Sequence, residues 1–249
     1  MLLSADFLFY STLNDFLPKA KREVWIRYAF REVPAVKDAI EALGVPHPEV
    51  EVILLNGAPV PLLHPLHPHD RVAVYPRAAA YTWPAGYAAA PALPTHPAFV
   101  LDVHLGKLAR ALRMLGFDTC YENNYSDHAI AQLAAKENRV VLTRDIGLLK
   151  QKVITWGYWL RSQQPEEQLA EVLQYFNLAE KLQPFTRCLC CNGRIELVAK
   201  NEVLHVLPPK TKQYFHEFFR CPNCRQVYWK GSHYERMQQF VAQLRQQSQ

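Results

Sequence analysis

Hydrophobic and polar residues alternate in two stretches near the beginning of the chain, ADFLFY at residues 5–10 and EVWIRYAF at residues 23–30. This period of two predicts two β-strands. Apolar residues then recur with helical spacing within residues 34–44, and Gly44 is placed to end that helix. Residues 50–55 predict a third strand followed by a turn at Asn56 and Gly57, and residues 70–76 predict a closing strand.

This order of strands around one helix is typical of a β-grasp, ubiquitin-like fold, which we predict for residues 1–77. The segment resembles the small sulfur-carrier proteins, which react through a free C-terminal Gly-Gly pair. Here the chain continues through VYPRAAAY, so we predict a binding or docking role instead. Residues 78–97 contain many Ala and Pro residues and no Lys, Arg, Asp or Glu, and they show no helical or strand period, which predicts a linker.

Strand and helix patterns alternate through residues 98–183. We predict strands at residues 98–103, 117–122, 139–145 and 154–162, and helices at residues 105–115, 126–138, 146–152 and 165–176. Ser126 is an N-cap candidate, Pro165 occupies a favoured first helical position, and Lys107, Arg110 and Arg113 lie outside the apolar stripe of the first helix. The alternation predicts an α/β fold with a parallel sheet.

Acidic residues stand where these predicted strands and helices meet. Asp102 ends the first strand, Asp145 ends the third, and Asp127 opens the helix before the third strand. Because sites in parallel sheets form at the carboxyl ends of strands, we expect the three carboxylates to converge there. Mg²⁺ or Mn²⁺ would relieve their repulsion and is suited to oxygen ligands. The alternative is that Asp127 only stabilises a helix N-terminus and the other two are loop residues.

Two C-x-x-C pairs occupy the C-terminal quarter, Cys188 with Cys191 and Cys221 with Cys224. Such pairs form knuckles that together supply the four sulfurs of a closed structural zinc site. A redox pair does not explain two such motifs. Cys190 and Cys120 are predicted bystanders, and His205, His216 and His233 are not needed as ligands. The small segment 184–249 is expected to gain folding energy from the metal.

The formal net charge of +5 lies at the C-terminal end, where residues 184–249 hold 10 Lys and Arg against 4 Asp and Glu. Solubility is one explanation. The other is RNA binding, because basic residues alternate there with aromatic residues, although we expect at least half of those aromatic residues to form the core of the ribbon. The basic residues are Lys210, Lys212, Arg220, Arg225, Lys230 and Arg236, and the aromatic ones are Tyr214, Phe215, Phe218, Phe219, Tyr228, Trp229 and Tyr234.

No run of 18 apolar residues and no secretory signal pattern is present in the sequence. We therefore expect a cytoplasmic protein that has no membrane partner and keeps its cysteines reduced.

Several separated motifs together resemble one family, the Mut-seven C-terminal RNases, in which a PIN-like nuclease domain precedes a zinc ribbon. The motifs are FVLDVHLGKLARALRMLGFDT, VVLTRDIGLL, LRSQQPEEQL, PFTRCLCCNG and FRCPNCRQVYWKGSHYERM. The resemblance implies a PIN-like domain at residues 98–183, a zinc ribbon with a C-terminal tail at residues 184–249, and a ubiquitin-like module in front.

The resemblance also implies roles for individual residues. Asp102, Asp127 and Asp145 would be the catalytic metal-binding acids. PIN nucleases usually have a fourth acid, for which Asp118 is the better candidate and Glu122 the other. Residues expected to contact RNA are Lys107, Arg110, Arg144, Arg161 and Ser162, and a solvated helix face is the alternative for these basic residues.

The leading hypothesis is a metal-dependent ribonuclease, with structural Zn and catalytic Mg or Mn, acting on RNA such as tRNA or rRNA. The alternative is a non-catalytic RNA- or ribosome-binding adaptor with a degenerate PIN-like fold. A third class is a protein-interaction module in which the β-grasp domain binds a protein partner. The oligomeric state is left open.

Overall fold

The computed structural model describes residues 2–77 and 81–231, together with residues 234, 235, 237–239, 241 and 242. The N-terminal elements are β1 (Leu3–Phe9), β2 (Ile26–Phe30), α1 (Val36–Leu43), β3 (Val50–Leu55), β4 (Ala58–Pro59) and β5 (Arg71–Pro76). The central elements are β6 (Phe99–Leu101), α2 (Gly106–Met114), β7 (Thr119–Cys120), α3 (Asp127–Glu137), β8 (Val140–Thr143), α4 (Ile146–Leu149), β9 (Gly157–Trp159) and α5 (Pro165–Tyr175). The last elements are β10 (Glu196–Val198), α6 (Lys200–Val203), α7 (Pro209–Tyr214), β11 (Phe218–Arg220) and β12 (Val227–Trp229).

The N-terminal sheet has the order β2-β1-β5-β3-β4, in which β1 and β5 are parallel and the other pairs antiparallel. Alternate residues of β1 are buried, as the period of two predicted. Helix α1 buries Val36, Ala39 and Ile40 and ends at Gly44, whose φ of 123° suits glycine. The predicted turn lies between β3 and β4. The β-grasp fold predicted for this segment is confirmed.

The chain divides into two compact units, one comprising residues 1–95 and 125–160 and the other residues 96–124 and 161–249. In the first unit, residues 81–89 of the Ala- and Pro-rich segment pack on the β-grasp sheet rather than running free. The Ala89 amide donates to the Glu51 carbonyl at 2.7 Å, and Tyr75 makes edge contacts with Tyr81 and Trp83. Its boundaries as a linker remain a prediction.

Also in the first unit, the α4–β9 segment packs against the β-grasp domain. Trp159 contacts the core of that domain, with its ring 5.1 Å from that of Phe16. The Trp159 backbone amide donates to the buried Glu49 carboxylate at 2.6 Å, and Lys150 donates to the Glu41 carbonyl at 2.7 Å. One face of the ubiquitin-like domain is therefore covered by its own chain.

His47 lies buried at the centre of this contact. Its Nε2 is 2.7 Å from the Ile154 carbonyl oxygen and its Nδ1 is 2.6 Å from Glu41 Oε1. Burial raises the pKa of Glu41, but the hydrogen bond and charge of His47 outweigh it, so the pKa lies below its ordinary value. This interaction links α1 to the segment that follows α4.

In the second unit, β6 and β7 pair in parallel, with Phe99 opposite Thr119 and Val100 opposite Cys120, while β8 and β9 form a parallel pair in the first unit. Helix α2 buries its predicted apolar stripe. Arg113, expected outside that stripe, is only 5% exposed. The expectation was wrong because its guanidinium is used internally: Nε donates to the Thr119 carbonyl at 2.9 Å and Nη1 to the Cys190 carbonyl at 2.8 Å.

The C-terminal segment forms a three-stranded antiparallel sheet in the order β10-β11-β12. Its core is small and consists of Val203, Leu207, Phe218 and Val227, with Phe215 and Trp229 packed against it. Within the part of the chain that the structure describes, no helix combines the length and apolar character needed to cross a membrane.

We predict that Glu41→Gln lowers the free energy of unfolding by about 2 kcal/mol, because a charged hydrogen-bond partner of buried His47 is lost. The folded-state pKa of Glu41 lies below its ordinary value of 4.5. The contribution of Glu41 to the free energy of unfolding is therefore present above about pH 4.5 and is lost as the pH falls through the lowered pKa. Urea unfolding followed by tryptophan fluorescence should show a difference at pH 6 that disappears near pH 3. The exposed control Glu32→Gln should show no difference; an equal loss in both variants would contradict the assignment.

Candidate functional site

Four sulfur atoms lie together in the C-terminal segment, those of the predicted ligands Cys188, Cys191, Cys221 and Cys224. Their Sγ atoms all lie within 4.8 Å of one another, with Cys188 Sγ 3.5 Å from Cys224 Sγ and Cys191 Sγ 3.4 Å from Cys221 Sγ. A tetrahedral site with bonds of about 2.3 Å spaces its sulfurs about 3.8 Å apart. The cluster can therefore hold a metal ion such as zinc.

The backbone of each C-x-x-C pair turns tightly around this cluster. The Asn192 amide donates to the Cys188 carbonyl and the Arg225 amide donates to the Cys221 carbonyl, both at 3.0 Å. At Gly193 an added Cβ would lie 3.0 Å from Cys221 Sγ, so the glycine allows the two turns to approach each other. Cys190 is exposed and lies outside the cluster, as predicted.

The thiol groups differ in their readiness to ionise. Burial raises the pKa of Cys188, but hydrogen bonds from Tyr228 and from the amides of Cys191 and Cys190 outweigh it and bring the pKa to about 7. Burial raises the pKa of Cys191 and that of Cys224, and neighbouring thiols raise both further, Cys224 to about 12. Crowded thiols resist joint ionisation, and a divalent cation removes that resistance.

Asparagine and arginine side chains bond the turn at Cys188 and Cys191 to β7 and to the residue before it. Asn192 Oδ1 accepts from the Thr119 amide at 2.9 Å, and its Nδ2 donates to Asp118 Oδ1 at 2.9 Å. Asp118 also pairs with Arg187 at 3.1 Å. Asp118 thus precedes β7 and lies at the amino end of the β6–β7 pair, where its carboxylate joins the ribbon to the strand.

Asp102 lies at the opposite, carboxyl end of the same strand pair. Its side chain is 8% exposed, and Oδ1 accepts from the Val103 amide at 2.6 Å. Continuing the parallel register by two residues past Val100 and Cys120 brings Glu122 level with Asp102. In this unit Glu122, rather than Asp118, shares the edge of Asp102.

The other two predicted acids belong to the first unit. Asp127 is exposed and is the first residue of α3, whose N-cap is Ser126, as predicted. Asp145 follows β8 and caps α4: its Oδ1 accepts from the Gly147 amide at 2.6 Å, and its own amide donates to Thr143 Oγ1 at 2.8 Å. The backbone thus orients the Asp145 carboxylate, and Oδ2 has no hydrogen-bond partner among the described residues.

The residues predicted to contact RNA have different surroundings. Lys107 and Arg110 are exposed on α2, whereas Arg144 is half-buried, with its carbonyl accepting from Trp159 Nε1. The backbone amides of Arg161 and Ser162 both donate to the Glu171 carboxylate, and the Ser162 hydroxyl donates to Glu167. These two residues therefore also hold the start of α5.

Most of the ribbon aromatics are structural, as expected. Phe218 is buried, Phe215 and Trp229 pack on the core, and the Tyr228 hydroxyl contacts Cys188 Sγ at 3.1 Å, whereas Tyr214 is exposed. Two predicted cationic contacts are paired, Arg220 with Glu202 and Lys230 with Glu217. His233 and Arg236 lie outside the described residues.

A family model described as the Mut7-C RNAse domain matches residues 97–241, more than half of the chain. The chain belongs to the Mut7-C RNase family. A second model, the Mut7-C ubiquitin domain, matches residues 3–82. This arrangement of a ubiquitin-like domain before the RNase domain is the one expected from the sequence.

Among solved structures, the Mut7-C chain is similar to one described as the crystal structure of H. volcanii small archaeal modifier protein 1. The two are 18% identical, with a TM-score of 0.24, and the match covers 30% of this chain and 97% of that one. No curated protein matches this chain.

Sequence reasoning missed the residues that support the cysteine cluster. Tyr228 accepts from the Leu189 amide at 3.0 Å and contacts Cys188, Asn192 binds β7, and Arg113 donates to the Cys190 carbonyl. The one available signal was Arg113, a charged residue within a helix rich in buried leucines. The Asn192–Thr119 and Arg113–Cys190 hydrogen bonds each join residues more than 70 positions apart, so no local pattern identifies them.

We predict that Cys221→Ser lowers zinc affinity at least about ten-fold and exposes residues 184–231 to proteolysis, because one of four clustered sulfurs is lost. Cys190→Ser is the matched control, since its sulfur lies outside the cluster. Zinc released to a chromogenic chelator and limited proteolysis measure the two effects. Equal zinc affinity in both variants would exclude the assigned ligand set.

Proposed function

We propose that this Mut7-C chain is a metal-dependent ribonuclease that hydrolyses RNA phosphodiester bonds. The observation that carries the proposal is the Asp145 turn at the carboxyl end of β8. There the backbone fixes one carboxylate oxygen and the other has no partner in the described part of the chain. An oriented carboxylate at a strand end suits a role in binding a divalent cation.

Asp102, Asp127 and Asp145 form the proposed set of catalytic ligands. Their carboxylates are hard oxygen donors, which suit Mg²⁺ or Mn²⁺. An ion held by them would stabilise negative charge on the reacting phosphate and activate water. The protein residues themselves hold the carboxylates in place: Val103 donates to Asp102, and Gly147 donates to Asp145.

Glu122 is now the better candidate for the fourth acid. It shares the edge of Asp102, whereas Asp118 lies at the other end of the strand pair and is paired with Arg187. Lys107 and Arg110, exposed on the helix after Asp102, are the cations best placed to contact RNA. Arg144, Arg161 and Ser162 are weaker candidates because their neighbourhoods also serve the fold.

Zinc is the ion that we assign to the four cysteines. Thiolate sulfur is a soft ligand, and four sulfurs at these spacings leave no open position for a substrate. The role of zinc is therefore structural, and it offsets the small core of the ribbon. Three of the predicted ribbon cations, Lys210, Lys212 and Arg225, are exposed, and we propose that they assist RNA binding.

The central test replaces Asp145 with Asn. Asparagine retains an oxygen that accepts from the Gly147 amide, so the turn is preserved while the charge is removed. We predict that cleavage of end-labelled RNA in Mg²⁺ or Mn²⁺ falls by at least about 100-fold, as when an electrostatic contact to the transition state is removed. The exposed control Asp38→Asn should cut as the parent does. Retained cleavage by Asp145→Asn would rule out the assigned site.

The second candidate function is a non-catalytic RNA-binding adaptor. It is favoured by Asp118, the expected fourth acid, whose carboxylate is held by Arg187 and Asn192. An adaptor would bind RNA in a salt-dependent way and would cut no RNA with any divalent metal. Parent protein that shows this behaviour on single-stranded and structured RNA would replace the nuclease proposal.

A further inference from the structure

A groove in the second unit has no role in the proposed chemistry. Its volume is about 430 Å³, and it lies at the amino ends of β6 and β7, the edge opposite Asp102. Its lining comes from residues 96–98, from residues 116–118, and from Lys181, Gln183, Thr186, Arg187 and Arg194. A space of this size accommodates a nucleotide.

The charge of the groove is positive. Arg187, Arg194 and Lys181 contribute three cations, and Asp118, which pairs with Arg187, is the one acidic residue among the described lining residues. Arg194 is exposed, and among the described residues it makes no ion pair. His96, also exposed, adds a further polar ring at the rim. A groove with net positive charge concentrates anions.

The frame of the groove is rigid. Gly116 closes the end of α2 with a φ of 94°, and an added Cβ there would lie 2.1 Å from the Gln183 carbonyl oxygen. The backbone at residues 183–185 is bonded to α2, since the Gln183 amide donates to Leu115 and the Phe185 amide to Met114, both at 2.9 Å. Arg187 is held on the floor by the carbonyls of Gly116 and Asn192.

We propose that this groove binds the phosphate backbone of RNA and holds the substrate away from the cutting edge. The inference rests on the proposed function and names a second contact for the same substrate. Strand β6 has three residues, so the two edges are about 10 Å apart. RNA stacked at about 3.4 Å per nucleotide would cover that distance with about three nucleotides.

The test measures RNA binding without added divalent metal, so that it does not depend on cleavage. A fluorescein-labelled oligouridylate is titrated with the full chain between about 50 and about 200 mM salt. The variant is Lys181→Ala with Arg194→Ala, and Arg194→Lys is added as a charge-conserving variant. The matched control, Lys19→Ala with Lys21→Ala, removes two exposed cations from the β-grasp domain.

We expect the groove variant to bind RNA about ten-fold more weakly at low salt. The slope of its log binding constant against log salt concentration should fall in magnitude by about 1.4, or about 0.7 for each lost phosphate contact. The control and Arg194→Lys should bind as the parent does. Unchanged RNA binding by the groove variant, or no RNA binding by the parent, would overturn the proposal that the groove binds RNA. If the parent cuts no RNA but its RNA binding depends on the groove, the groove proposal is supported and the nuclease proposal is rejected.

Discussion

The C-terminal segment of this protein depends on bringing four thiol groups to one point. Their sulfurs lie within 4.8 Å of one another, and the core beside them contains only a few buried apolar side chains. Burial and neighbouring thiols raise the pKa of Cys191 and that of Cys224, so a divalent cation is the natural partner of the cluster. Beside the first C-x-x-C pair, Asn192 accepts from the Thr119 amide of β7, and the Cys190 carbonyl accepts from Arg113. A metal ion held by these sulfurs would thereby be linked to the strand pair that ends at Asp102, and to the groove through Arg187 and Asp118.

Two of the acids proposed for catalysis, Asp102 and Asp145, accept hydrogen bonds from backbone amides. Gly147 donates to Asp145 and Val103 donates to Asp102, and each bond orients one oxygen of the carboxylate. The Asp118 carboxylate, in contrast, forms an ion pair with Arg187. This contrast separates carboxylates suited to hold a catalytic cation from those that stabilise the fold. Two contacts join the ubiquitin-like domain to the α4–β9 segment: His47 lies against the Ile154 carbonyl, and the Trp159 amide donates to Glu49.

Local patterns predicted what local physics determines. The strands of the β-grasp domain, the helix stop at Gly44, the cap at Ser126 and the spacing of the cysteines all follow from periodicity, backbone freedom or ligand geometry. The failures were long-range. Arg113 looks like a surface residue until the Cys190 carbonyl, 77 residues later, is placed beside it. His47 likewise has a partner 107 residues away. Asp118 and Glu122 flank one strand, and only the register of β6 with β7 distinguishes the two edges.

Binding of Mn²⁺ to the zinc-loaded protein, followed by electron paramagnetic resonance, tests the proposed carboxylate site most directly. The parent should bind one Mn²⁺ ion, and Asp102→Asn should weaken that binding at least about ten-fold while the zinc content stays unchanged. Such a result would separate a catalytic cation from the structural one at the cysteines. A parent that binds no Mn²⁺, or an Asp102→Asn variant that binds it as tightly as the parent, would contradict a metal-dependent nuclease built on these acids.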